Sequence, residues 1–439
     1  MPPRFSLPCR SASAYFSKRP GPSVLGRLRG QHVDAGLSSP RRARAAPSPP
    51  EAQGVEGEPS ISENQLLLSS AQEALATPGL HFTDGHGPLG PTGRGRQTRR
   101  MNLYGAIREA LGTALGSNPK AVIFGEDVAF GGVFRCSMGL MEEFGKKRVF
   151  NTPLSEQGIA GFGIGFASVG ATAIAEIQFG DYIFPAFDQL VNEAAKQHYA
   201  SGGAYPLPGG SLTIRAPIGS VGHGGLYHSQ SPEGFFLGAA GLKVVIPRSP
   251  IQAKGLLLSA IRDPSPILFL EPKILYRAAV EEVPIDDYTL PLGQMEIVRP
   301  GTDLTLISYG LPLYTCLNAI TLLHDPPATL MPLLPDKLRP PRPISIQLID
   351  LRMINPLPIN SVVEAIKQTG RVVIVHEAGP SGGVGNNLAG ELGRRAFEYL
   401  EAPIGLVSGW DTPVPLTFER FYQPDVIRVF DKLLETLSY

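Results

Sequence analysis

NTPLSEQGIAGFGIGFASVGATAIAEIQF runs from Asn151 to Phe179 and joins an almost uncharged helix to a mostly apolar strand. Ser155 stands where a helix N-cap is expected, and Glu156 is the only charged residue of the helix predicted from Glu156 to Val169. Gly158, Gly161, Gly163, Gly165, Ala167 and Gly170 lie among aliphatic and phenylalanine residues, and the next acid is Glu176. A carboxylate in such surroundings is costly unless something pairs with it, so Glu156 is a candidate for proton work. The rival explanation is plain capping, since an acid is favoured in any first helical turn.

The same alternation extends both ways. Upstream, Leu103, Ile107, Leu111 and Leu115 recur at helical spacing, and Ala121 to Phe124 form a short apolar strand stopped by Gly125. Downstream, the pattern predicts helices from Pro185 to Tyr199 and from Pro250 to Arg262. Strands fall at Ala173 to Phe179, Ser211 to Arg215, Lys243 to Ile246 and Ile267 to Glu271. Apolar strands between amphipathic helices argue for a parallel sheet covered on both faces. Glu281 to Pro300, with three prolines, reads as a connector. A second unit begins at Thr302, with strands at Leu304 to Tyr309, Ser345 to Leu351, Arg371 to His376 and Pro403 to Val407. Its helices run from Leu313 to Leu323, Ser361 to Thr369, Val384 to Leu400 and Asp425 to Leu437. The expectation is an α/β chain with one domain over 99–290 and a second over 291–439. The proline-dense stretch 325–343 cannot continue either neighbour and reads as a surface insertion without a catalytic role.

The 39 basic and 39 acidic residues balance, which gives nucleic acid no support as the main partner. The front of the chain departs from that balance. Residues 1–33 hold Arg4, Arg10, Lys18, Arg19, Arg27 and Arg29, interleaved with serines, and no acid. Arginine-rich, serine-rich and acid-poor composition is that of a mitochondrial presequence, the alternative being a basic disordered tail. Residues 34–98 stay rich in Pro, Gly and Ser and read as linker and disorder, with a short helix allowed only from Leu66 to Ala76. No apolar run reaches membrane-spanning length, so no membrane insertion is expected. Cys9, Cys136 and Cys316 are too few and too scattered for a disulfide framework or a zinc site.

Four further stretches invite a chemical reading. Gly161-Phe-Gly163-Ile-Gly165 lacks the spacing of a dinucleotide fingerprint and reads as close helix packing. Gly382-Gly383-Val384-Gly385 follows a strand and opens a helix, so its amides are a weak candidate for an anion. His223 and His228 share a glycine-flanked loop that suggests an active-site wall, while Gln178, Asp181 and Tyr182 follow a buried strand at its carboxyl end.

Val122 to Cys136, Asn151 to Gly165, Ala175 to Asp188, Val221 to Glu233 and Glu271 to Arg277 together resemble the β subunits of thiamine-diphosphate-dependent 2-oxo acid dehydrogenases, over about 101–439. Phe134-Arg135-Cys136 and Tyr227 to Pro232 look most like the branched-chain group. The resemblance implies a thiamine-diphosphate-binding pyrimidine domain followed by a transketolase C-terminal-like α/β domain. It implies that Glu156 hydrogen-bonds the cofactor's aminopyrimidine nitrogen, and that Leu154, Gln178 and Tyr182 line the cofactor pocket. His228 would steer protons during decarboxylation and acyl transfer to lipoyl-lysine. Gly210, Leu212, Thr213, Ala260, Asp263 and Ser265 would bind potassium, largely through backbone carbonyls, although Ala260 and Ser265 depart from the residues expected there.

The chain has no Gly-Asp-Gly run, so magnesium and the diphosphate fall to an α subunit. The resemblance then implies an α2β2 heterotetramer docked on a lipoyl acyltransferase core in the mitochondrial matrix. Its substrates would be the 2-oxo acids from Leu, Ile and Val degradation. The alternatives are a pyruvate dehydrogenase β subunit and a non-catalytic scaffold of the same fold.

Overall fold

The structure is a computed structural model that describes residues 61–85, 89–334 and 344–439. The presequence reading of 1–33 and the linker reading of 34–60 lie outside the described residues, as do 335–343 of the proline-dense stretch. Two sheets carry the fold. The larger has seven strands in the order Met353–Asn355, Lys243–Val245, Ile267–Pro272, Ser211–Ile218, Thr172–Glu176, Ala121–Gly125, Val149–Asn151. All its pairings are parallel except that of Met353–Asn355 with its neighbour.

Period-two alternation explains how one sheet feeds two cores. Ile123, Ile174 and Phe269 point into one core with helices Leu103–Ser117 and Pro250–Arg262. Phe124, Ala175, Ile214 and Leu268 point into the other with helix Glu156–Ser168. The second sheet has five strands in the order Glu296–Arg299, Ile346–Asp350, Leu304–Ser308, Val372–Val375, Gly405–Val407, with only the first antiparallel.

Four stretches differ from the sequence reading. Glu281 to Pro300 is strand rather than connector: Val280–Pro284 pairs with Thr98–Asn102, and Glu296–Arg299 edges the second sheet. Its prolines sit at strand ends or between strands, where no ladder N–H is needed. The helix expected from Pro185 to Tyr199 contains a π segment, Gln189–Ala194, before Ala195–Ala200. Met331–Leu333 forms a 3-10 turn and Leu334 is buried, so the described part of 325–343 is anchored rather than purely superficial.

The largest correction concerns 61–98, which are not a linker. Ser70 and Glu73 form a capping box for helix Ala71–Leu75. His81–Phe82 pairs with Tyr288–Thr289, and the Arg96 guanidinium lies over Phe82 while bonding Asp84. Leu66, Leu67 and Phe82 are buried, and the Leu68 amide donates to the buried Glu281 carboxylate. Composition hid this because a few apolar anchors suffice to fasten a polar segment. Burying three large side chains is worth about 5 kcal/mol. A chain starting at residue 99 is therefore expected to melt well below one starting at 61, and equal melting temperatures would refute the anchoring.

Candidate active site

Gly125 pairs with both Asn151 and Glu176, so three parallel strands end level. The chain leaving those ends forms one polar rim, at the edge where open α/β sheets bind ligands. From the first strand come Glu126 and Asp127, the latter in the left-handed region with φ 55°. Asn151 Oδ1 accepts from the Ala129 amide at 2.7 Å and so ties the second strand end to the first. Ser155 Oγ accepts from the Gly158 amide at 3.3 Å, capping the helix whose first residue is Glu156. Beyond the third strand, Gln178 Nε2 donates to Asp127 Oδ2 at 3.3 Å.

The Glu156 carboxyl faces that of Glu126. Burial and the facing Glu156 carboxylate push Glu126 above the usual carboxylate range, and Glu126 Oε1 is buried without another partner among the described residues. Facing carboxyls hold one proton between them more readily than two negative charges. The helix mouth itself is more open than the sequence suggested. Leu154 is 85% exposed and Gln157 and Gly158 are exposed, so an apolar enclosure of Glu156 is not supplied by this chain. The carboxyl that the structure pushes upward is Glu126. It carried the same signal that drew attention to Gln178, a polar residue directly after a buried strand.

An aromatic wall stands beside the rim. The His228 ring meets Phe179 edge-on at 4.7 Å and Tyr182 at 5.9 Å between centroids. His228 and Tyr182 are exposed, whereas Asp181 between them is buried and accepts from the Ser229 and Gln230 amides. The floor is a buried ion cluster. Arg215 donates to Glu176 at 2.7 Å and to both oxygens of Glu271 at 2.7 and 2.9 Å, and Tyr276 Oη also donates to Glu271. Gly132, at φ +71°, passes so close that a Cβ there would lie 3.2 Å from Glu176 Oε1.

Within the Gly-Phe-Gly-Ile-Gly run, only Gly163 is packed tightly: an added Cβ would meet Leu212 at 2.8 Å, while Gly161 and Gly165 meet nothing within 4 Å. At Gly383 and Gly385 an added carbon would strike the buried His376 ring, so close packing accounts for those glycines.

The six potassium candidates converge on the start of strand Ser211–Ile218 and the end of helix Pro250–Arg262, which Ser211 Oγ joins by a 2.6 Å bond to the Ile261 carbonyl. Thr213 Oγ1 is buried without a partner among the described residues. Asp263 pairs with Lys243 at 2.6 Å and accepts from the Ser265 amide. Among the described residues no three or more His, Cys, Asp or Glu stand together as a metal cluster, and no helix is long and apolar enough to cross a membrane.

Residues 99–279 match the transketolase pyrimidine-binding domain, and 337–429 the transketolase C-terminal domain. The chain is 54% identical over 343 residues to the 2-oxoisovalerate dehydrogenase subunit beta, mitochondrial, of Dictyostelium discoideum, covering 78% of this chain and 88% of that one. The chain belongs to the 2-oxoisovalerate dehydrogenase β-subunit family. Its Arabidopsis thaliana relative, 2-oxoisovalerate dehydrogenase subunit beta 2, mitochondrial, is 53% identical over 78% of this chain and 90% of its own length. The pyruvate dehydrogenase E1 component subunit beta of Staphylococcus aureus is 38% identical over 77% and 99%. A solved split-gene transketolase, an inactive β4 tetramer, shares the fold at a TM-score of 0.58 and 21% identity, covering 77% of this chain and 98% of that one. The transketolase-like fold and the oxidoreductase family expected from the motifs are therefore established, and with them a thiamine-diphosphate-dependent family whose β subunits work with an α partner.

One buried acid of this 2-oxoisovalerate dehydrogenase β-type chain gives a pH prediction. Glu233 accepts from Tyr309 Oη at 2.9 Å, and burial pushes its carboxyl up to about 7. A carboxyl raised by folding contributes stability fully below its unfolded value, and that stability is lost as pH rises toward 7. Glu233→Gln removes the titration. Between pH 4.5 and 8 the wild-type chain is expected to lose about 3 kcal/mol relative to the variant, read by denaturant melts at both ends. Parallel pH profiles would refute it.

Proposed function

We propose that the chain is the β half of a 2-oxoisovalerate dehydrogenase (EC 1.2.4.4). With an α subunit in an α2β2 heterotetramer it decarboxylates branched-chain 2-oxo acids from Leu, Ile and Val degradation. The acyl group then passes to lipoyl-lysine of an acyltransferase core, in the mitochondrial matrix. The observation that carries this reading is the Glu126–Glu156 carboxyl pair at level strand ends, with Leu154, Tyr182 and His228 left exposed. The openness suits a site completed by a second subunit. Family matches on either side support a division of the two domains near 290.

The donor set fits half of thiamine diphosphate. When bound, that cofactor supplies an electron sink for the bond that releases carbon dioxide. Glu156 would hold the proton at the aminopyrimidine ring nitrogen, and Glu126 would keep that proton within the pair. Leu154 would cover an apolar ring face, with Gln178 and Tyr182 beside it. His228 would present a ring nitrogen to the acyl group during its transfer. Magnesium and the diphosphate would be held by the α subunit. Potassium would take carbonyls at Gly210, Leu212, Thr213, Ala260, Asp263 and Ser265, because the Asp263 carboxylate is already neutralised by Lys243.

The test is decarboxylation by the full chain co-expressed with its α subunit, comparing 2-oxoisovalerate with pyruvate. Preference for the branched acid is expected. Equal or better use of pyruvate would favour the pyruvate dehydrogenase reading, and no activity from an assembled tetramer would favour a scaffold.

A further inference from the structure

The loop that carries His223 and His228 begins and ends on buried carboxylates from three separate segments. Its base is closed by the Gly219 amide donating to the Gln230 carbonyl at 3.0 Å. On its entering arm the Ser220 amide donates to Glu377 Oε1 at 2.6 Å, and the Gly222 amide donates to Glu419 Oε1. On its leaving arm the Ser229 and Gln230 amides donate to Asp181 Oδ1 at 3.1 and 3.0 Å, while Ser229 Oγ reaches Glu419 Oε2 at 3.5 Å. Gln423 braces the junction, donating from Nε2 to Ser220 Oγ at 2.6 Å and to Glu377 Oε1 at 3.0 Å. Asp181, Glu377 and Glu419 are all buried.

Three buried carboxylates on one loop call for positive charge nearby. Lys273 supplies one such charge. Its side chain is buried, its charge faces Asp181, Glu377 and Glu419, and Nζ has no hydrogen-bond partner among the described residues. Backbone fixes it to the same loop, since the Lys273 amide donates to the Ile218 carbonyl at 2.9 Å. Burial lowers the lysine to about 8 and raises Glu377, as expected for charges held away from water and balanced only by one another. Gly219, at φ +85°, lets Glu377 approach: a Cβ there would lie 2.9 Å from Glu377 Oε2.

We infer that Asp181, Glu377 and Glu419, partly offset by Lys273, form a carboxylate clamp that fixes the 219–230 loop, and that they are positioning residues for His228. The C-terminal domain thus takes part in the active site: Glu377 leaves the strand Val372–Val375 and Glu419 opens the turn Glu419–Tyr422. All three are buried beneath the loop rather than exposed on it. Their effect runs through the ring of His228, held against Phe179 at one end and through its neighbour Ser229 at the other. Displacement of a reacting group by about 1 Å lowers rates by about 100-fold, so a loop held at both ends has a measurable consequence.

The consequence for rate rests on the role proposed for His228; the clamp itself does not. The experiment uses the full chain assembled with its α subunit, comparing Glu419→Gln, Glu377→Gln and the conservative Glu419→Asp with His228→Ala. Amide hydrogen exchange of the 219–231 segment reads the clamp, and acyl transfer to lipoyl-lysine at saturating 2-oxoisovalerate reads its effect. Both Gln variants are expected to speed exchange at Ser220 and Gly222 at least tenfold and to lower kcat for acyl transfer at least tenfold. Affinity for thiamine diphosphate and the melting temperature should change little, and Glu419→Asp should recover part of the rate. Unchanged exchange in both Gln variants overturns the clamp whatever the activity. Faster exchange with undiminished transfer, where His228→Ala is impaired, overturns the positioning role. An active His228→Ala would instead remove the role proposed for His228, leaving exchange alone to judge the clamp.

Discussion

Glu156→Gln in the assembled enzyme is expected to lower kcat for decarboxylation of 2-oxoisovalerate by about 1,000-fold, within the range for losing a positioned proton-transfer group. The amide keeps the size and one acceptor but cannot hold the proton, so substrate KM should stay within a few-fold of wild type. Glu126→Gln provides the contrast. Its carboxyl is the one raised by burial and by the facing Glu156, and an amide at that place can still donate to Glu156 while removing the like charge. A loss of only about tenfold is expected, because the amide still supports Glu156 through a hydrogen bond while the proton-transfer group itself is kept. Steady-state rates between pH 5.5 and 8.5 measure both. Equal losses in the two variants would show that no division of labour exists in the pair. Near-normal rates for Glu156→Gln would remove Glu156 from the chemistry.

Most helices and strands follow from features that sequence displays directly, but the short strand Val149–Asn151 and the level strand ends do not. Glu156 to Ser168 and Pro250–Arg262 were legible because a capping serine and an N-terminal proline mark their starts. Strand Ser211–Ile218 was legible only from Ser211 to Arg215, and that arginine is where local reading stops. Nothing near Arg215 in sequence announces Glu176, 39 residues away, or Glu271, 56 residues away. The Glu126–Glu156 pair was half visible for the same reason: each residue follows a recognisable element end, but their meeting depends on the register Gly125 to Asn151. Residues 61–98 failed differently. Their composition is that of a linker, and their order comes from partners at Glu281, Tyr288 and Asp286 that lie about 200 residues on.

Arg215→Met is expected to destabilise the folded subunit by about 3–5 kcal/mol, the effect of removing one partner from a buried ion cluster. The Arg215, Glu176 and Glu271 side chains are nearly inaccessible to water, at 1%, 7% and 0% exposure. In the wild type the guanidinium serves both carboxylates, burial raises Glu176 above the usual range, and Arg215 pulls it back down. Without the guanidinium the two carboxylates are stranded in the interior, and Glu176, already raised by burial, loses the partner that holds it down and rises further. Stability of the variant should then be best at low pH and fall as pH rises through the raised folded value of Glu176, so its deficit against wild type widens from pH 5 to 8. The triple variant Arg215→Met, Glu176→Gln, Glu271→Gln carries no charge in the cluster and should regain more than half of the loss, since what destabilises the single variant is stranded charge rather than missing attraction. Thermal melts of the assembled enzyme at several pH values test both parts. A single variant within 1 kcal/mol of wild type, or a triple variant no better than the single, would show that the cluster is not held by its central arginine. A folded triple variant with impaired decarboxylation would further show that the charged floor shapes the Gly132 turn beside Glu176, and not the stability of the sheet alone.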